Sequence, residues 1–345
     1  MEREPAATTP TNLEVAYHKL SAPVPLFAVP DSLPEFNELY GTEQACREAL
    51  IHARWPDGWS CPRCNHTRHY GLAGRNELEC AACGHQVSPT AGTFMEYTKL
   101  ELRKLFLMLY LLVAEKDGVN CAQLSRQAGV NYNTARLWKL KVADMLHGRD
   151  KDALTGRVEV DETITGAGDE SSVGRRLGAG QNYVLVMVED RGPACGRVRL
   201  VAVDDASGDT LKTAVREHLA DGAMAHTDGL NAYEGLEDHE AEPGKKLKHE
   251  PEVIGDPKEA SRKFPKVHIV ASLLKRVILG TNQGSISRGW LPWLLAEFEF
   301  RFNRRNAKKR PLLWARLMEL GLNTQARTRA YFAEKGAMFR QLGLS

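Results

Sequence analysis

At 345 residues, 43% of them hydrophobic and 26% charged, the chain has room for two or three domains with real cores. A net charge of +2 means that global charge alone does not argue for a nucleic-acid partner. No apolar run reaches the roughly 18 residues of a membrane span, and no apolar signal stretch opens the chain, so a cytosolic setting with reduced thiols is expected.

In chain order, residues 1–30 are rich in Pro, Ala and Thr and read as disordered. Leu33 to Arg54 sets Phe36, Leu39, Tyr40, Cys46 and Leu50 roughly on one side, a helical spacing that Trp55-Pro-Asp-Gly ends. Cys61-Pro-Arg-Cys64 and Cys80-Ala-Ala-Cys83 then form two C-x-x-C knuckles with fifteen residues between them. Zn²⁺ takes four tetrahedral thiolates, and a two-residue spacing lets one tight turn present two sulfurs to one ion. Gly84 follows where such a turn needs positive φ. The expectation is a structural zinc ribbon over about residues 59–93. His66, His69 and His85 lie close enough in sequence to replace a ligand, although four cysteines suffice. Cys46, Cys121 and Cys195 stand alone and read as small core residues.

Lys99 to Glu115 is strongly apolar and predicts the core helix of a small helical unit, broken by Asp117-Gly118. Cys121 to Ala128, a Gly129-Val130 turn and Asn131 to Leu146 give the order of a helix-turn-helix. Asn131 can cap the second helix, and Tyr132, Asn133, Thr134, Arg136 and Lys139 can face bases and phosphates. A plain helical hairpin is the competing reading; beside a zinc ribbon, DNA binding is favoured.

After residue 155 the periodicity changes. Arg157 to Asp161 predicts a short strand, Tyr183 to Glu189 and Val198 to Val203 two more around a Gly/Pro turn at Arg191 to Gly196. Ser207 to Leu219 is helical, and Ala223 to Thr227 is a fourth strand closing on Asp228-Gly229. Thr165 to Gly180 and Glu237 to Lys266 read as loops, with helix from His268 onward and one long helix over Ser287 to Arg305. Three antiparallel strands, a crossover helix and a parallel fourth strand open a ribonuclease-H-like fold. There the first and fourth strands are neighbours, so Asp161 and Asp228 would converge on one Mg²⁺ site. Two such ions can activate an attacking hydroxyl and stabilise the leaving oxygen of a phosphodiester. Without that fold, Asp161 is a strand-end cap and Asp228 an Asp-Gly turn. Arg301 to Arg310 carries six basic residues in ten, a charge run that a solvated helix end also explains.

Five motifs then stand in one order: Trp55-Pro-Asp-Gly with Cys61-Pro-Arg-Cys64, Val160-Asp-Glu-Thr-Ile-Thr-Gly166, His226-Thr-Asp-Gly-Leu-Asn-Ala-Tyr233, Leu274-Lys-Arg276, and Glu297-Phe-Glu-Phe-Arg-Phe-Asn-Arg-Arg305. Over about residues 35–320 the chain resembles the zinc-ribbon group of DDE-type insertion-sequence transposases. The resemblance implies a core that cuts and joins transposon ends with a divalent metal, Mg²⁺ or Mn²⁺. It gives Asp161 and Asp228 as the first two catalytic acids and Mg²⁺ ligands. The third position, usually Glu and in some branches Asn or His, lies seven residues before a lysine. Counting back from Lys275 gives His268, two helical turns away on the same face. The expected catalytic set is Asp161, Asp228, His268 and Lys275, the lysine pairing with DNA phosphate. A His nitrogen suits Mg²⁺ less well than a carboxylate oxygen. Glu297 and Glu299 are the nearby acidic substitutes, otherwise structural parts of the Phe-rich helix, and Glu162 is a weaker candidate ligand. Phe298, Phe300 and Phe302 would pack inward. Arg301, Arg304 and Arg305 would hold DNA phosphates or acidic partners at the active-site edge.

The expected fold class is an α+β multidomain chain with an N-terminal zinc ribbon, a helix-turn-helix, and a ribonuclease-H-like α/β/α core with a mixed sheet. Its expected segments are a disordered 1–30, a helix and ribbon over 31–95, the helix-turn-helix over 96–150, the catalytic domain over 151–320 and a helical tail over 321–345. The expected function is metal-dependent DNA cleavage and transfer by a homo-oligomer on double-stranded terminal-repeat and target DNA. The expected place is the cytoplasm, at the nucleoid and away from membranes. The alternatives are a degenerate transposase that binds ends without cutting, and a ribbon and helix-turn-helix regulator without catalysis.

Overall fold

The computed structural model describes residues 25–72, 76–115, 117–148, 151–166, 181–238, 245–254, 259–305 and 312–342. Most of the expected disordered N-terminus, nearly all of the Gly-rich 165–180 segment and residues 306–310 of the basic run lie outside these residues.

The first expected helix is two: α1 (Leu33–Tyr40) and α2 (Glu43–Arg54). Thr42 is extended and its hydroxyl accepts from the Ala45 N–H, so a new N-cap interrupts the run. Short strands β1 (His69–Gly71), β2 (Leu78–Cys80) and β3 (Gln86–Val87) form an antiparallel ribbon in that order. Helix α3 (Leu102–Ala114) is buried nearly all round, as its composition demands. It is followed by α4 (Cys121–Ala128) and α5 (Tyr132–His147). Next come β4 (Arg157–Thr165), β5 (Asn182–Arg191), β6 (Ala194–Val203), α6 (Gly208–His218), β7 (Met224–Thr227) and β8 (Lys248–Pro251). The chain closes with α7 (Ala260–Lys263), α8 (Pro265–Asn282), α9 (Leu291–Phe302), α10 (Leu312–Leu322) and α11 (Arg329–Gln341). No helix among the described residues is long and apolar enough to cross a membrane.

Two compact units emerge. The first takes residues 1–116, 121–141 and 307–328. Its centre is Trp314 of α10, fully buried among the rings of Phe27, Phe36, Tyr40 and Phe106 at centroid distances of 5.7, 6.2, 4.8 and 5.8 Å. Gly321 presses α10 onto Phe94, whose N–H donates to the Gly321 carbonyl at 3.0 Å. Helix α10 therefore groups with the N-terminal elements, whereas the expected 151–320 boundary had counted it with the sheet domain.

The second unit takes residues 117–120, 142–306 and 329–345 around a five-stranded sheet of order β6-β5-β4-β7-β8. β4, β5 and β6 form an antiparallel meander, β7 runs parallel to β4, and β8 parallel to β7. Alternation divides the strands between two cores. Val158, Val160, Leu185 and Met187 meet α6 on one face; Val184, Val186, Val188, Val198 and Leu200 meet α8 and α9 on the other.

Three expectations change here. β4 runs on to Thr165, so Asp161 lies inside the strand, paired with Val186, and not at its end. The expected 237–266 loop contains β8 and α7. Its Lys-His-Glu-Pro sequence is an exposed polar edge strand with no apolar alternation to announce it. The long helix expected over 287–305 is only α9, which leaves Arg304 and Arg305 beyond its end.

Candidate functional site

The four cysteines come together as the sequence predicts. Cys61 Sγ lies 3.8 Å from Cys83 Sγ, Cys64 Sγ lies 3.5 Å from Cys80 Sγ, and all four ligand atoms fall within 4.8 Å of one another. Thiolates about 2.3 Å from a tetrahedral Zn²⁺ would be about 3.8 Å apart, so the donor set fits that ion. Both knuckles fold alike. Cys61 N–H donates to His66 O and Asn65 N–H to Cys61 O; Cys80 N–H donates to His85 O and Gly84 N–H to Cys80 O. Asn65 (φ 57°) occupies the left-handed position that Gly84 (φ 66°) takes in the second knuckle. His66 and His85 thus serve the knuckles through backbone carbonyls, and the His69 ring packs edge-on against Trp59 at 4.9 Å. Burial raises the Cys80 thiol, but hydrogen bonds from the Cys83 and Ala82 amides and from the Cys64 and Cys61 thiols together bring the group down to about 7.

The second cluster sits where β7 stops pairing with β4. Their ladder ends at Glu159 opposite His226; Asp161 lies two residues further along β4, and Asp228 just past the end of β7. Asp161 Oδ1 accepts from the Glu162 N–H at 2.8 Å, and Oδ2 lies 4.0 Å from His268 Nε2 on α8. Burial, then the charges of Glu162 and Asp228, push the Asp161 carboxyl up to about 7, against the pull of Lys275. Lys275 is exposed on the same helix as His268. Asp228 also forms the Asp-Gly turn, its Oδ1 accepting from the Leu230 N–H at 3.2 Å. Asp161, Asp228 and His268 are neighbours but not a closed cage. Among the described residues the cysteines are the one group of three or more His, Cys, Asp or Glu whose ligand atoms all approach within 4.8 Å.

The other candidates are engaged elsewhere. Glu162 Oε2 accepts the hydroxyl of fully buried Tyr233 at 2.9 Å. Glu299 holds the Leu200 N–H on β6 and Lys151, both at 2.6 Å, and Glu297 lies 3.5 Å from Arg301. These two glutamates are internal struts of the sheet domain. Arg301 is 5% exposed and faces that acidic partner, so the expected DNA-phosphate contact is corrected: its guanidinium lies inside the helix packing. Arg304 lies over Phe300 and Arg305 over Phe302, donating back to carbonyls in the last turn of α9; Arg305 also bonds Cys195 O on β6.

In α4–α5 the turn has Gly129 at φ 63°, with Val130 N–H on Ser125 O at 3.0 Å and Ser125 Oγ donating to Val130 O at 2.7 Å. Asn131 Oδ1 accepts from the Asn133 N–H at 2.8 Å, the expected cap. Ala135 and Trp138 face inward, leaving Asn133 and Arg136 exposed and Lys139 half-buried on the outer face.

Residues 41–86 match the transposase zinc-ribbon domain and residues 153–303 the ISXO2-like transposase domain, together more than half of the chain. The chain thus carries a transposase zinc ribbon followed by an ISXO2-like transposase domain. A Halobacterium salinarum protein described as "Uncharacterized protein in transposable element ISH50" is 24% identical over 218 residues, covering 58% of this chain and 72% of that protein. The matched 153–303 segment of the transposase contains the whole five-stranded sheet, α8 and α9, and stops before α10.

Sequence reasoning missed two buried polar residues beside the cluster of Asp161 and Asp228: Glu159 and His226, both about 1% exposed. Their signal was a charged or polar side chain inside an otherwise apolar strand, which needs a specific buried partner.

Proposed function

We propose that this transposase cuts and rejoins DNA at the ends of its insertion sequence, on a ribonuclease-H-like core, with Mg²⁺ or Mn²⁺ held by Asp161, Asp228 and His268. The observation that carries this reading is Asp161 itself. A carboxyl raised to about 7 by burial and by Glu162 and Asp228, with an imidazole nitrogen 4.0 Å away, is a donor set that a divalent cation would stabilise. When bound, such ions supply activation of the attacking oxygen and stabilisation of the leaving oxygen of a phosphodiester. The protein's own groups do the rest. Asp161 is fixed by strand pairing and Asp228 by its turn, so both carboxylates are preorganised. Tyr233 holds Glu162 on the far side of β4, away from the substrate side. Lys275, exposed on α8, lies within electrostatic reach of Asp161 and would hold a phosphate oxygen of the scissile strand.

The zinc ribbon and α4–α5 deliver the DNA. Asn133, Arg136 and Lys139 on the outer face of α5 would contact the terminal repeat, with the N-terminal part of that helix toward the bases. The test is incubation of purified transposase with labelled DNA carrying the element's ends and Mg²⁺. Nicks at the ends by wild type, lost in Asp161→Asn and Asp228→Asn with end binding retained, support the reading. Specific binding without any nick by wild type replaces it with a degenerate, end-binding protein.

A further inference from the structure

We propose that Glu159 is a positioning residue that sets His268 against Asp161; this role rests on the metal-dependent reading above. Glu159 is 1% exposed, and its carboxylate sits at the first turn of α8. Oε2 accepts from the N–H groups of Lys266 (2.9 Å) and Val267 (3.2 Å), and Oε1 lies 3.2 Å from Lys266 Nζ. Those amides are among the donors that a helix cannot satisfy internally, and a carboxylate there also complements the positive end of the helix dipole. Pro265 opens the helix, and its first backbone bond, His268 N–H to Phe264 O, is long at 3.4 Å. The turn that carries His268 therefore relies on the carboxylate as well as on its own ladder.

Strand geometry links this cap to the acids. Side chains two apart on a strand share a face, so Glu159 and Asp161 both point toward α8. The neighbouring strand repeats the arrangement. His226 is the register partner of Glu159, and its ring stacks on Phe264 at 4.4 Å and 23° while Nε2 lies 2.9 Å from Glu252. Asp228 follows His226 by two residues. Each strand thus grips the start of α8 two residues before it presents its acid. Lys275 lies two turns further along a helix locked by Val270, Leu274 and Val277, so loss of the cap should move His268 and spare Lys275. Lys266 Nζ also pairs with Asp190 at 2.9 Å, so neutralising Glu159 does not leave it unpaired.

The test uses full-length Glu159→Gln beside wild type and His268→Ala. Without divalent ions, amide exchange at Lys266 and Val267 should quicken roughly tenfold. With Mn²⁺ as the probe, pulsed EPR should show imidazole-nitrogen coupling in wild type, none in His268→Ala, and loss or weakening in Glu159→Gln, with Mn²⁺ affinity within about threefold of wild type. The kcat for end nicking should fall tenfold or more while KM for the DNA holds. Unchanged exchange, or wild-type nitrogen coupling in Glu159→Gln, overturns this role alone. Wild-type protein that binds no Mn²⁺ overturns the metal reading and this role with it. Should Glu159→Gln fail to fold, Glu159→Asp keeps the charge one methylene short, and the same readouts must fall between wild type and His268→Ala.

Discussion

Replacing Asp161 by Asn should stabilise the metal-free transposase at neutral pH while disabling it. Burial and the charges of Glu162 and Asp228 raise this carboxyl from 3.8 to about 7, despite Lys275. A carboxyl that holds its proton more tightly folded than unfolded favours folding at acid pH, and that advantage is lost as pH rises toward the folded value. Between about pH 4 and pH 7 the folded chain carries this proton and the unfolded chain does not, so stability falls with rising pH. About three units at ~1.36 kcal/mol each give an upper bound of ~4 kcal/mol. The side chain is 27% exposed, and solvent brings the expected cost to about 2–3 kcal/mol. At about 2–4 °C per kcal/mol for a unit of this size, Asp161→Asn should melt roughly 5–10 °C above wild type at pH 8. At pH 4.5, where wild-type Asp161 is neutral, the two should agree within about 2 °C. The assay is thermal unfolding of the zinc-loaded protein without added divalent ions. Adding Mg²⁺ at pH 8 should raise the wild-type melting temperature and leave the variant unmoved, because an ion bound only to the folded state stabilises it. Equal melting of the two proteins at pH 8, or an equal gain for the variant at pH 4.5, would refute the reasoning.

Three further outcomes follow from other parts of the molecule. The double change Cys80→Ser, Cys83→Ser should take zinc from one ion per chain to none by elemental analysis and unfold the ribbon, whose apolar cluster is small; unchanged zinc content would place the ion elsewhere. Arg136→Ala should weaken end binding and lower the salt slope of log K by about 1, as for a lost phosphate contact; a wild-type slope would move the DNA off this face of α5. Gly321→Ala would bring a Cβ within 2.2 Å of the Phe94 ring and should lower the urea midpoint of the first unit by an equivalent of about 1–3 kcal/mol; an unchanged midpoint would mean that Phe94 yields freely.

The sequence was most legible where chemistry fixes spacing. The two knuckles needed only their cysteines and, after the second pair, Gly84, while the left-handed Asn65 after the first pair went unread; the pattern of α4, turn and α5 was carried by Gly129 and the Asn131 cap. The meander and its parallel fourth strand followed from the alternation of Arg157 to Asp161 and from continuous apolar runs such as Tyr183 to Val188, which read as strands buried on both faces. What escaped was set by tertiary contact. β8 has no apolar face, because it is an edge strand held by backbone pairing to β7. The place of α10 depends on Trp314 meeting four rings far away in sequence. Arg301 read as a surface cation because a charge run does not reveal a buried Glu297 one turn earlier on the same helix. Glu159 was hidden in plain alternation, its partners lying about a hundred residues further along the chain.

The most direct test of the account is anomalous diffraction from crystals of the full-length transposase soaked in Mn²⁺. The account predicts a peak bonded to the carboxylates of Asp161 and Asp228 with His268 Nε2 at its edge, and a separate zinc peak among Cys61, Cys64, Cys80 and Cys83. Manganese absent from Asp161 and Asp228, or bound at Glu297 and Glu299 instead, would contradict it.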